Sequence, residues 1–92
     1  MEITVEELKK GPYQLIDIRE VEEIEAEPYE KSVSIHMPMS SFDSSKIHPD
    51  TLHVLFCKSG RRTAYLATKL REQGLLNVFS LIDGIDALNR LN

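Results

Sequence analysis

Leu52-His53-Val54-Leu55-Phe56-Cys57-Lys58-Ser59-Gly60-Arg61-Arg62-Thr63-Ala64 decides how this chain folds. Leu52 to Phe56 is nearly all apolar, the pattern of a strand covered on both faces. From about Arg61 to Gln73 the apolar positions Ala64, Ala67 and Leu70 recur at helical spacing, with Leu66 nearby. Gly74 fits the position just past a helix end, where a left-handed conformation is cheap. The stretch therefore predicts strand, tight loop, helix, with Cys57 at the turn.

Outward from it, strand and helix patterns alternate. Thr4-Val5-Glu6-Glu7 reads as a capping box opening a short helix that Gly11-Pro12 ends. Tyr13 to Ile18 reads as a buried strand. Glu20 to Glu27 reads as a helix with Val21, Ile24 and Ala26 on its apolar side, stopped by Pro28. Val33-Ser34-Ile35 reads as a short strand. Pro38 to Pro49 is a polar connector with a helical turn inside it and Met39 and Phe42 as plugs. Val78 to Leu81 is a further strand. Asp83-Gly84 turns the chain into a last helix whose core face is Ile85, Leu88 and Leu91. Such alternation implies right-handed crossovers and an α/β fold, a small mainly parallel sheet with helices on both faces. Ninety-two residues without repeat or linker are expected to form one domain, 1–92.

Composition narrows the function. No apolar run approaches the roughly 18–20 residues of a membrane span, and Met1-Glu2 leads straight into a domain pattern, so a cytoplasmic protein away from membranes is expected. One cysteine excludes an intrachain disulfide and a four-cysteine zinc site. His36, His48 and His53 lack metal-ligand spacing, and Met37 and Met39 read as packing residues, so no metal and no cofactor are expected. The net charge of −4 argues against nucleic acid. It conceals an asymmetry: residues 1–30 hold ten acids against three bases, whereas residues 58–71 hold five bases and no acid. The acidic stretch Glu20–Glu30 is most simply a solvated face.

Cys57 stands where ligands bind in open α/β sheets, outside the carboxyl end of a strand. Three effects favour its thiolate: unpaired N–H groups at a helix N-terminus, a nest of amides that Gly60 permits, and the charges of Lys58, Arg61 and Arg62. They predict a reactive thiol with a lowered pKa rather than a core residue at a strand end. So short a loop is expected to leave it open to small molecules and protein partners.

The loop Cys57 to Ala64 resembles the Cys-x-x-Gly-x-Arg-Ser/Thr active-site loop of the rhodanese-like sulfurtransferases, in their single-domain form. Leu15-Ile16-Asp17-Ile18-Arg19-Glu20 is similar to the family's Asp-x-Arg segment. Asn77 to Leu81 followed by Gly84 resembles its last strand and glycine turn. The likeness runs from about residue 3 to 91. Two departures stand out. Glu27-Pro28-Tyr29-Glu30-Lys31-Ser32 occupies the place of the family's Gly-His-Ile-Pro-Gly-Ala, and Leu88 stands where Trp is frequent.

The resemblance implies that the Cys57 thiolate takes the outer sulfur of a donor such as thiosulfate, forms a persulfide and passes the sulfur to cyanide or a thiol. A sulfur-accepting protein is a further candidate partner. This is two-step covalent catalysis with ping-pong kinetics. Lys58, Ser59, Gly60, Arg61, Arg62 and Thr63 would bind substrate: their amides hold the persulfide anion, the three cations dock an anionic donor unless Arg61 points to solvent instead, Arg62 matches the loop-closing arginine, and Thr63 caps the helix. Asp17 and Arg19 would brace the site. The alternative within the same fold is an interaction or regulatory module of low turnover. A phosphatase or arsenate reductase fits less well, since those place five residues between cysteine and arginine and Arg62 follows Cys57 after four.

Overall fold

The computed structural model describes residues 1–91. Five strands are present: β1 (Glu2–Ile3), β2 (Gln14–Asp17), β3 (Ser34–His36), β4 (His53–Phe56) and β5 (Val78–Leu81). Four helices join them: α1 (Val5–Leu8), α2 (Val21–Ala26), α3 (Arg61–Glu72) and α4 (Gly84–Asn89). The strands form one sheet in the order β1-β5-β4-β2-β3, and every pairing is parallel.

The strand residues alternate between two cores. Leu15, Val54, Phe56 and Leu81 point to a cluster closed by Val5 of α1 and by Ile85, Ala87 and Leu88 of α4. Ile16, Leu55, Cys57 and Val78 point to the other, closed by Ala67 and Leu70 of α3, by Met37 just after β3 and by Ile47 of the connector. β4 is buried along its whole length, which explains its unbroken apolar run. Met39 and Phe42 pack against the second cluster, and the connector coils into two 3-10 turns, Met39–Ser41 and Ser44–Lys46.

Local signals at the termini of the elements hold. Thr4 and Glu7 complete the capping box: Glu7 N–H donates to Thr4 Oγ1 at 3.2 Å and Thr4 N–H to Glu7 Oε1 at 3.0 Å. Gly74 has φ +96° just past α3. Other expectations shift. The buried stripe of α3 is Thr63, Ala67 and Leu70, with Ala64 only half-buried. In α2 no residue is buried, so its expected apolar side does not exist. β3 lies one residue later than Val33-Ser34-Ile35. β1 has no counterpart in the sequence reading; it is a strand only because it pairs with β5.

This topology positions the site. The chain leaves β2 through α2 to β3 on one side and leaves β4 through α3 to β5 on the other. The crevice of such a sheet opens where the connections diverge, between the carboxyl ends of β2 and β4. Asp17 and Arg19 stand at one lip and Cys57 at the other.

Candidate active site

The loop from Cys57 to Gly60 closes on its own sulfur. Gly60 N–H donates to Cys57 Sγ at 3.2 Å, and Thr63 Oγ1 lies 3.8 Å from Sγ. Gly60 takes φ +94°, the left-handed region, and a Cβ there would stand 3.0 Å from Leu81 O. Gly84 is needed for a related reason: a Cβ on it would collide with the carbonyl oxygen of Cys57, which accepts Ile85 N–H at 2.8 Å. Two glycines thus let the loop and the start of α4 meet.

Burial is the largest single influence on the Cys57 thiol and raises its pKa. The backbone amides of Thr63, Gly60 and Ser59 together with the Thr63 hydroxyl outweigh it, and the net shift is downward. The expected direction is therefore found, but the cause differs in part. Amides and a hydroxyl are the main groups that lower it; of the three cations Arg62 acts in the same direction, since the Cys57 sulfur in turn raises the Arg62 pKa.

Thr63 does not cap α3; Gly60 is the N-cap and no side chain satisfies it. The Thr63 side chain turns inward instead, within 3.2 Å of Gly60 O and 2.7 Å of Ser80 Oγ. A hydroxyl has one proton to give, so its neighbours share it. Ser80 was not anticipated as a site residue; its signal is a serine inside the apolar run of β5.

Cys57 is also far from open. It is 1% exposed, and it lines none of the described surface cavities. The nearest of these in sequence, about 200 Å³, is lined by Ser59, Gly60 and Arg61 with Glu2, Ile82 and Asp83.

The charged residues divide. Arg19 is 1% exposed and grips Asp17 through Nε at 3.0 Å and Nη2 at 2.8 Å, while its Nη1 donates to Glu27 O at 2.6 Å. Asp17 and Arg19 therefore join β2 to the segment after α2. Arg62 forms a fork on Glu23, Nη1 to Oε2 at 2.8 Å and Nη2 to Oε1 at 2.7 Å. Its pKa is raised by Glu23 first, with a smaller contribution from the Cys57 sulfur. The hydrogen bond from Arg62 lowers the Glu23 pKa to about 2, aided by the Glu20 N–H. Lys58 Nζ reaches Glu27 Oε1 at 2.9 Å and Asp86 Oδ1 at 3.2 Å, and both raise its pKa. Arg61 is exposed and has no ion-pair partner among the described residues. The acidic stretch is thus more than a solvated face: Glu23 and Glu27 sit on the cations of the loop.

His53 lies at the opposite end of β4, buried, with Nδ1 unpartnered and its pKa lowered by burial. No group of three His, Cys, Asp or Glu residues among those described could hold a metal ion, and no described helix is long and apolar enough to cross a membrane.

A cysteine in an amide cup at the carboxyl edge of a parallel sheet defines a class, and the comparisons agree with it. The chain belongs to the rhodanese-like domain family, whose model matches residues 2–91. Among solved structures it is similar to a rhodanese-like domain protein from Staphylococcus aureus, at 25% identity and TM-score 0.77 over 95% of this chain and 90% of that one. It is similar to a rhodanese-related protein from Thermoplasma volcanium, at 25% identity and TM-score 0.76 over 91% and 85%. It also matches an NAD-dependent persulfide reductase from A. fulgidus at 28% identity and TM-score 0.70, over 91% of this chain but only 15% of that one. No curated protein matches it in sequence.

Proposed function

We propose that this protein is a sulfurtransferase that carries a sulfane sulfur on Cys57. The Cys57 thiolate attacks the outer sulfur of a donor, thiosulfate being the simplest. A new S–S bond forms, the donor's S–S bond breaks, and sulfite leaves with the electron pair. The Cys57 persulfide then yields its outer sulfur to a nucleophile, cyanide or a thiol, and the thiolate is restored. With one cysteine in the chain, no internal thiol resolves the persulfide, so the acceptor comes from outside. Donor and acceptor are small molecules or a sulfur-accepting protein, and the setting is cytoplasmic.

The observation that carries this reading is the cup around Sγ: an inward Gly60 N–H at 3.2 Å and a thiol pKa lowered against the pull of burial. Such amides suit a thiolate and then a persulfide anion, as an oxyanion hole suits developing charge. Lys58, Ser59, Gly60, Arg61, Arg62 and Thr63 supply the cup and its rim, and Asp17 with Arg19 supports it. Four residues between Cys57 and Arg62 make a cradle better matched to sulfur than to phosphate.

The burial of Cys57 favours a second reading, a module that keeps the loop but turns over little. Intact-mass measurement after incubation with thiosulfate separates the two. One added sulfur atom on Cys57, removed by cyanide, is the expected result; no addition favours the module. Cys57→Ser is expected to abolish thiosulfate:cyanide transfer, and full retention of that activity overturns the proposal.

A further inference from the structure

Sequence places three cations beside Cys57, but the fold leaves little of that charge for a ligand. Arg62 is held on both carboxylate oxygens of Glu23, at 2.8 and 2.7 Å. Glu23 is itself anchored, since its Oε2 accepts Glu20 N–H at 3.0 Å. Lys58 is shared between Glu27 and Asp86 at 2.9 and 3.2 Å. Lys58, Arg61 and Arg62 thus face three carboxylates in direct contact with two of them. The rim is neutral, and ionised Cys57 makes the whole site negative.

We propose that Glu23, assisted by Glu27 and Asp86, sets the charge class of the sulfur donor: it disfavours doubly charged inorganic donors and favours donors of low net charge, alkyl persulfides being the class. The inference rests on the sulfur transfer proposed above and names its substrate. Two effects act in the same direction. A dianion approaching a thiolate is repelled, and the neutral rim does not compensate. A donor that recruits Arg62 must also break the two-pronged bond to Glu23, the stronger kind of ion-pair geometry. Glu23 dominates because its pair is half-buried, 37% exposed against 36% for Arg62, and so is screened less than the Lys58 contacts at 52%. Chemically the two donors do the same thing. In each, Cys57 forms the new S–S bond, the donor's S–S bond breaks, and sulfite or an alkyl thiolate leaves.

The test compares sulfur loading of Cys57, followed by mass, from thiosulfate and from cysteamine persulfide, whose ammonium offsets its persulfide charge. Wild type, Glu23→Gln and Glu27→Gln are used. In parallel, Cys57 is alkylated with iodoacetate and with iodoacetamide, which differ by one charge and need no transfer activity. A rate ratio within each pair cancels changes in thiolate fraction. For an assumed separation of roughly 6–7 Å in a water-like dielectric, removing one negative charge is worth on the order of tenfold for a dianion and threefold for a monoanion. Glu23→Gln is therefore expected to raise the thiosulfate ratio about tenfold and the iodoacetate ratio about threefold, both shrinking in high salt. Glu27→Gln is expected to raise both less, and it carries the test if Glu23→Gln does not fold. Loading in the wild type with both ratios unmoved in both variants overturns this inference alone. No sulfur on Cys57 from either donor overturns the transfer reading, and this inference with it.

Discussion

The polar groups around Cys57 form two layers that obey different physics. The lower, buried layer is Asp17, Arg19, Thr63 and Ser80, four of the five buried polar or charged residues of the described chain. Each is fully engaged with protein: the Arg19 fork on Asp17, its bond to Glu27 O, and the Thr63–Ser80 contact at 2.7 Å. Above the loop lie Lys58, Arg61, Arg62 and their carboxylates, all between a third and two-thirds exposed where they pair. The lower layer cannot lose a partner without leaving a desolvated group. The upper layer can exchange partners with water or a ligand at a smaller cost, greatest at the Arg62 fork on Glu23. The lower layer therefore builds the cup, and the upper layer decides which charges reach it.

The largest expected effect falls in the lower layer. Arg19→Ala removes four hydrogen bonds and leaves the Asp17 carboxylate buried without its cation. Breaking such a pair costs about 3–5 kcal/mol, against a total stability of about 5–15 kcal/mol for a domain of this kind. Urea unfolding measures it. Replacing both residues together by apolar ones of similar size should recover much of the loss, because no lone charge remains. A cost below about 1 kcal/mol for Arg19→Ala would mean the pair is not sealed as its 1% exposure indicates, and the two layers would not differ.

Thr63→Val comes next. It keeps the shape and removes the hydroxyl, leaving Ser80 without its 2.7 Å partner, at a cost of about 1–3 kcal/mol. It also removes one of the groups that lower the Cys57 pKa. The thiol ionises more readily folded than unfolded. Its stabilising contribution is complete above the pKa of an unfolded thiol and is lost as pH falls through the lower folded value. In the wild type, the pH midpoint of iodoacetamide alkylation should lie below that of an ordinary thiol. Thr63→Val should move it up, and Thr63→Ser should restore it. An unmoved midpoint in Thr63→Val would assign the shift to the amides and Arg62.

The two layers were also unequally legible. The cup is local: Cys57, Gly60 and Thr63 lie within one turn of a strand–helix junction, and apolar periodicity locates that junction. The rim is not local. Arg62 and Glu23 are separated by 39 positions, and Lys58 and Glu27 by 31. The only trace in sequence is that an acidic run and a basic run both exist. Without the topology, which sets β2 beside β4, nothing shows that they meet. The same holds for β1, two residues made a strand by a partner at the other end of the chain, and for α2. That helix buries nothing, and ion pairs rather than an apolar stripe hold it over the site. Thr63 was misplaced for the opposite reason. Its residue type suits a cap, but a glycine already occupies that position with a conformation only glycine adopts freely.

The smallest expected effect is in the upper layer and has the opposite sign to Glu23→Gln. Lys58→Ala leaves Glu27 and Asp86 without their shared cation. The site becomes more negative by one charge, at a better solvated position than Glu23. The urea midpoint should not move measurably, since exposed pairs contribute little to folding. The iodoacetate-to-iodoacetamide ratio should fall by about twofold at low salt and recover near 0.5 M salt, where the screening length is down to roughly 4–5 Å. A clear loss of stability would place Lys58 in the lower layer. A ratio that rises instead would mean that Lys58 is held away from the approach to Cys57, and that its two carboxylates shield it from the site rather than balance it there.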